Sequence, residues 1–205
     1  MLTHRLALAS IALFTLGCGV LQHDFGRLDP QVIEFAHQVD TTRGFELALD
    51  DDARVVGYAG AITAAQLPGL ARDTALALAP QAVVRGGSRI IEWKRETWEV
   101  ELDRDGARSF VRVRFDEEGV PHVVQTRRRA DDAEVPAAVR TRAQAEAGAG
   151  SIVAIEAVEA DSNVVYHVTK TVGSQTLRLA IARDGTLLET LRIVRCGLGV
   201  VDASR

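Results

Sequence analysis

An internal repeat constrains this chain more than any other feature. Residues 67–76 read LPGLARDTAL and residues 135–144 read VPAAVRTRAQ, so Leu67-Pro68 falls on Val135-Pro136 at an offset of 68. The same offset lays Trp98-Glu99-Val100 on Tyr166-His167-Val168. Farther along, an offset of 66 aligns Val111, Val113, Phe115 and Gly119 with Leu177, Leu179, Ile181 and Gly185, as though one turn had lost two residues. Four landmarks in one order predict a single folding unit laid down twice, and any fold must accommodate both copies.

Each copy follows one local grammar. Proline stands in the first helical turn, where its missing N–H is an orphan in any case. Leu67, Leu70, Ala71, Thr74 and Leu78 recur at helical spacing and predict one apolar stripe. Pro80 closes the first helix, and Gly148 with Gly150 closes the second. The period then changes from 3.6 to 2. Thr97 to Phe115 predicts a hairpin about Asp105-Gly106, a pair suited to a type I′ turn because both positions need positive φ. That turn sets Val100 opposite Val111 and Trp98 opposite Val113 on one face. The other face pairs Glu99 with Arg112, Glu101 with Phe110 and Thr97 with Arg114. In the second copy Tyr166, Val168, Leu177 and Leu179 face the core, while Val165, His167, Thr169, Arg178 and Ala180 face out. Further turns are predicted at Asp116-Glu117-Glu118-Gly119 and Ala182-Arg183-Asp184-Gly185, with a third at Asp50-Asp51-Asp52-Ala53. Residues 29–66 therefore read as a shortened copy, a helix from Asp29-Pro30 to about Gln38 followed by a hairpin.

Leu67-Pro68, Trp98-Glu99-Val100-Glu101 and Asp116-Glu117-Glu118-Gly119 together resemble the PepSY-like family, also called β-lactamase-inhibitor-like. The second copy repeats the pattern in Val135-Pro136, Val165-Tyr166-His167-Val168 and Arg183-Asp184-Gly185-Thr186-Leu187-Leu188. Trp98 stands where tyrosine is usual, and Pro121-His122 stands where the other copies have Val55-Val56 and Leu187-Leu188. The resemblance implies an α+β fold: tandem repeats of one helix packed on a curved antiparallel sheet of three to four strands. The expected organisation is an N-terminal region over 19–66, modules over 67–130 and 131–197, and a tail over 198–205. It also implies an exported, non-catalytic protein. The tandem form is similar to β-lactamase inhibitory proteins, which grip their enzyme with the concave sheet face; fold alone does not carry that activity across.

Residues 1–18 predict an export signal. His4 and Arg5 precede the apolar and small run Leu6 to Leu16, which at ~1.5 Å per residue is too short to span a bilayer core. Gly17-Cys18 resembles a lipobox, with acylation at Cys18, although Thr15 and Leu16 stand in the reverse of the usual order. Plain secretion and a buried N-terminal helix are the alternatives. The other cysteine is Cys196; a Cys18–Cys196 disulfide would exclude acylation of Cys18, and otherwise Cys196 reads as a small, partly buried thiol. The formal net charge of −4, one unit more negative once Arg5 is removed, argues against nucleic acid as a partner. The acyl chains, and not headgroup attraction, would hold the chain at a membrane.

The expected partner-binding face carries Glu99, Glu101, Phe110, Arg112 and Arg114, with His167 and Arg178 from the second copy. Arginine and aromatic residues are usual interface anchors, though Glu99 opposite Arg112 is also an ordinary cross-strand pair contributing ~0.2–1 kcal/mol. Asp50-Asp51-Asp52 and Asp116-Glu117-Glu118 lack the spacing of a calcium loop and read as solvated turns. His23, His37, His122 and His167 have no second ligand at metal-binding spacing. Gly86-Gly87 reads as a turn, and Arg127-Arg128-Arg129 as a solvated linker. No G-x-S-x-G elbow or paired-carboxylate arrangement is present. The expectation is a non-enzymatic envelope module that binds a protein or peptide, with inhibition of an extracytoplasmic hydrolase as the activity the resemblance offers. No metal or cofactor is expected. A structural lipoprotein without a dedicated partner, and a small-ligand or metal-sensing module, are the rivals; a hydrolase would need a pocket holding His122 or His167 beside a carboxylate.

Overall fold

The computed structural model describes residues 30–39, 45–146 and 148–196. Cys18, His23 and the expected signal segment lie outside the described residues. The elements are α1 (Pro30–Gln38), β1 (Phe45–Leu49), β2 (Val55–Ile62), α2 (Gly69–Leu78), β3 (Val83–Glu92), β4 (Arg95–Arg104) and β5 (Ala107–Phe115). They continue with β6 (Pro121–Arg129), α3 (Ala137–Ala145), β7 (Ser151–Ala160), β8 (Asn163–Val172), β9 (Gln175–Ala182) and β10 (Leu187–Cys196).

All the strands join one antiparallel sheet, and that sheet closes on itself in the order β1-β10-β9-β8-β7-β6-β5-β4-β3-β2. The expected tandem helix-on-sheet units of three to four strands are thereby corrected to a closed ten-stranded barrel. Two junctions make the difference. β6 pairs β7 from Thr126↔Glu159 to Arg129↔Glu156. Hairpin β1–β2 fills the space between β3 and β10, with Phe45↔Cys196 to Leu49↔Arg192 on one side and Gly57↔Glu92 to Ile62↔Gly87 on the other. Open sheet edges carry unpaired backbone groups, and closure removes them.

The apolar cores lie outside this barrel, between sheet and helices. One gathers Phe35 of α1 and Ala71 and Ala75 of α2 over Leu47, Val100, Leu102, Val111 and Val113. The other sets Val139 and Ala143 of α3 over Tyr166, Val168, Leu177, Leu179 and Ile181. Burying each such valine or leucine stabilises by roughly 1.5–3 kcal/mol. α2 buries Ala71 and Ala75, continued by Leu67 just before the helix; Leu70 and Leu78 of the expected stripe are exposed. Alanine at two successive contacts lets α2 approach β4 and β5 closely. Arg72 N–H bonds the Pro68 carbonyl in α2, and Arg140 N–H bonds the Pro136 carbonyl in α3, so both helices begin alike.

The β4–β5 register is the one Asp105-Gly106 predicts: Trp98↔Val113, Val100↔Val111, Glu99↔Arg112. Asp105 and Gly106 hold φ of 55° and 84°. In the second half Val168 pairs with Leu179 and Tyr166 with Ile181. These pairings keep an offset of 68 through Val113 and Ile181, which corrects the expected drop to 66 within the strand. The two missing residues are the counterparts of Arg114 and Phe115, so β9 is the shorter strand. Gly86-Gly87 is likewise corrected: both lie inside β3, beside a bulge between Val84 and Gly86. Arg127-Arg128-Arg129 is strand β6, not linker.

Candidate binding site in the barrel lumen

Side chains alternate across a strand, so the face opposite the helices points into the barrel. There it lines a partly open cavity of about 660 Å³ to which every strand contributes, from Glu46 on β1 to Ile193 on β10. The cavity is crossed by six alternating charges. Arg178 Nη2 donates to Glu92 Oε1 at 2.7 Å, and Arg112 Nη1 donates to Glu92 Oε2 at 2.9 Å. Arg112 Nη2 lies 3.7 Å from Glu99 Oε2. Arg127 Nη2 donates to Glu99 Oε1 at 2.6 Å, and Arg127 Nη1 donates to Glu156 Oε1 at 2.5 Å. The guanidinium of Arg127 also stands 4.0 Å over the Phe110 ring. Such enclosed pairs add little net stability over apolar packing, but breaking one leaves an uncompensated charge.

The field of this network decides the protonation states. Burial pushes the Glu92 carboxyl up, but Arg112 and Arg178 outweigh it and hold the group below the usual carboxylate range. Burial works against the Arg127 cation, and Glu99 and Glu156 outweigh that and raise its pKa. Burial pushes His167 down, and Arg178, Arg112 and Arg127 push it the same way, to about 3. The imidazole is therefore neutral at any physiological pH. Nearby Glu189 is raised, chiefly by burial.

Of the expected face, Glu99, Phe110, Arg112, His167 and Arg178 line this cavity. They are brought together, though inside the barrel and not on a surface. Glu101 lies apart, 3.3 Å from Arg108, and Arg114 is exposed near one strand end, opposite His122 in register. Sequence reasoning missed Glu92, Arg127 and Glu156. Each falls on the inward parity of a strand next to one already assigned: Glu92 shares parity with Ser88, the partner of Glu99, while Arg127 and Glu156 are the partners of Phe110 and His167.

The acidic turns have a local role. Asp50 Oδ1 accepts from the amides of Asp52 and Arg54, and Asp116 Oδ1 accepts from those of Glu118 and Val120. Their carboxylates thus hold the turns that Ala53 and Gly119 complete at φ of 60° and 79°. Asp116 also meets His122 at 2.7 Å. Cys196 is buried in the first core, as a small thiol suits.

No family model matches the chain, and no curated protein matches it. Among solved structures it is similar to a DUF2874 family protein from Bacteroides uniformis, with 15% identity, 62% of this chain and 89% of that chain covered, and a TM-score of 0.47. It is similar also to a BLIP-like protein from Bacteroides fragilis, with 19% identity, 68% of this chain and 93% of that chain covered, and a TM-score of 0.42. Functional inference therefore rests on the lumen itself.

Proposed function

We propose that this chain is a non-catalytic binding protein that takes its ligand inside the barrel. The lumen supports this because it is polar, roomy and incompletely satisfied. Arg112 Nε and Gln125 Nε2 are buried without a hydrogen-bond partner, and the two residues are opposite in register. A buried donor left unmade costs about 1–3 kcal/mol, so this stretch of wall was not assembled for stability alone. His167 stands opposite Glu156 in register, the juxtaposition a hydrolase would need. A general base works best with a pKa near the operating pH, and burial, joined by three guanidiniums, holds this imidazole far below it.

Enclosure decides the kind of ligand. The Glu99 and Arg112 side chains are 7% and 13% exposed, so a globular partner cannot lay a surface on them. A small molecule or the end of a chain can enter, and 660 Å³ lies in the range of small-ligand sites. Inhibition of an extracytoplasmic hydrolase would instead use the hairpin tips, where Trp93 is 60% exposed. Export through residues 1–18, anchorage at Cys18, and modules over 67–130 and 131–197 that arose by duplication belong to the same proposal.

The test is mass spectrometry of the natively purified chain beside Ala154→Trp, which fills the cavity from β7. Wild type is expected to carry a small-molecule mass excess that denaturation releases, and the variant to lack it. Equal masses with and without the plug, at native and denatured mass alike, would count against a luminal ligand. Globomycin is expected to leave the precursor unprocessed; unaltered processing would rule out acylation.

A further inference from the structure

In the row Arg178–Glu92–Arg112–Glu99–Arg127–Glu156 each interior member has an ion pair on both sides and each end has one only, although Glu189 also lies within the field of Arg178. Glu92 and Glu99 each use both oxygens, and Arg112 and Arg127 each bridge two carboxylates. Arg178 donates to Glu92 through Nη2 alone, and among the described residues its Nε and Nη1 make no hydrogen bond. Glu156 accepts from Arg127 at Oε1, and among the described residues its Oε2 accepts no hydrogen bond.

These two ends flank one strand, β8, in the sheet. Glu156 on β7 is the register partner of His167 on β8. Arg178 on β9 is the register partner of Thr169, two residues beyond His167 on the same face. A cation, a neutral imidazole and a carboxylate thus follow one another round the wall. The gap has a cause in sequence: at the offset of 68, Glu99 becomes His167 and Arg112 becomes Ala180, so the pair that closes the first half is missing from the second.

We infer that this gap binds a short peptide with free termini, two or three residues long, with its carboxylate on Arg178 and its ammonium on Glu156. The inference rests on the luminal site proposed above and specifies its ligand. Strands lie ~4.8 Å apart and Arg178 stands two residues farther along than Glu156, so the two positions are separated by about 12 Å. An extended peptide covers about 3.3–3.6 Å per residue; three residues fill that span, and two reach it when the long side chains lean inward. A neutral imidazole donates from one nitrogen and accepts at the other, which matches a peptide group lying across His167. Thr169 and Thr176 add hydroxyls to the same wall, and Phe110 supplies an apolar surface. Away from bulk water, each terminal charge pair is stronger than it is at a surface.

Calorimetric titration of the full chain with trialanine, N-acetyl-trialanine and trialanine amide tests this. Trialanine is expected to bind, and each blocked peptide to bind about tenfold more weakly or worse. In Glu156→Gln, free and acetylated peptides should bind alike while amidation still weakens binding. In Arg178→Gln the pattern should reverse, with free and amidated peptides alike. Loss of structure would flatten both distinctions at once, so circular dichroism of each variant accompanies the titration. Equal binding of free and blocked peptides to wild type, or no binding of trialanine at millimolar concentration, would overturn the assignment. A retained mass excess that Ala154→Trp abolishes would still sustain the luminal site in that case.

Discussion

His167 and Lys170 show how a basic residue takes its meaning from enclosure. His167 has a folded pKa of about 3 against an ordinary 6.5. Between those values the unfolded chain binds a proton that the folded chain refuses, so stability rises with pH across the window and is lost as pH falls from about 6.5 toward 3. The loss should approach about 1 kcal/mol per pH unit in mid-window. Urea midpoints of wild type and His167→Gln, followed from pH 7 to pH 4, should diverge below about 6.5, wild type losing more; parallel curves would contradict the shift. Glu92 adds a later loss of the same sign, below its ordinary pKa of 4.5, because its folded value is lowered. Lys170 is fully buried, and its ammonium donates to the carbonyls of Ala143, Gln144, Glu146 and Gly148 at 3.0, 3.0, 2.5 and 2.8 Å. Helix ends leave such carbonyls without partners. Lys170→Met strands them and should cost about 2–4 kcal/mol in urea unfolding; a cost below about half a kcal/mol would show the contacts to be idle. Neither role was legible in the sequence. A histidine on the outward parity of a strand reads as solvated, and nothing but position marks Lys170 as the counterpart of buried Leu102.

At the scale of elements, legibility followed local chemistry. The β4–β5 hairpin could be read to the residue because Asp105-Gly106 fixes the turn and the turn fixes the register. Gly86-Gly87 deceived because Gly-Gly is also turn vocabulary. Its purpose is tertiary: a Cβ on Gly87 would lie 2.0 Å from the Glu99 carbonyl oxygen. Gly87→Ala must therefore push β3 from β4. Gly106→Ala meets nothing within 4 Å and suffers only the strain of φ +84°, about 1 kcal/mol. Thermal unfolding should rank Gly87→Ala as far the worse; the opposite ranking would mean that β3 does not make this approach. The α2 stripe was misplaced for a related reason. Helical periodicity identifies a face to within one residue's rotation, and the two alanines, not the flanking leucines, are what the close sheet tolerates.

At the scale of the molecule, alternation told which side chains share a face but not what that face meets. Glu99, Phe110, Arg112, His167 and Arg178 do share one face, without Glu101 and Arg114, yet a period of two is the same whether polar residues meet water or an opposite wall of counter-charges. Closure depends on β1–β2 bridging β3 to β10, and no local pattern encodes that pairing. Enclosure has an energetic signature. Glu99→Ala leaves Arg112 and Arg127 short of a carboxylate and should cost about 3–5 kcal/mol, whereas Glu101→Ala breaks a pair with mostly exposed Arg108 and should cost under about 1 kcal/mol. Equal small losses in denaturant titrations would place both glutamates on an open surface.

The barrel's closure is reported most directly by proton–proton contacts between β1 and β10 in nuclear magnetic resonance spectra of the full chain. Cross-strand contacts are expected for Phe45 with Cys196, Leu47 with Val194 and Leu49 with Arg192, together with slowly exchanging β1 amides. Spectra that lack those contacts while β1 amides exchange freely would leave the sheet open, its charged face in solvent, and the luminal site without walls.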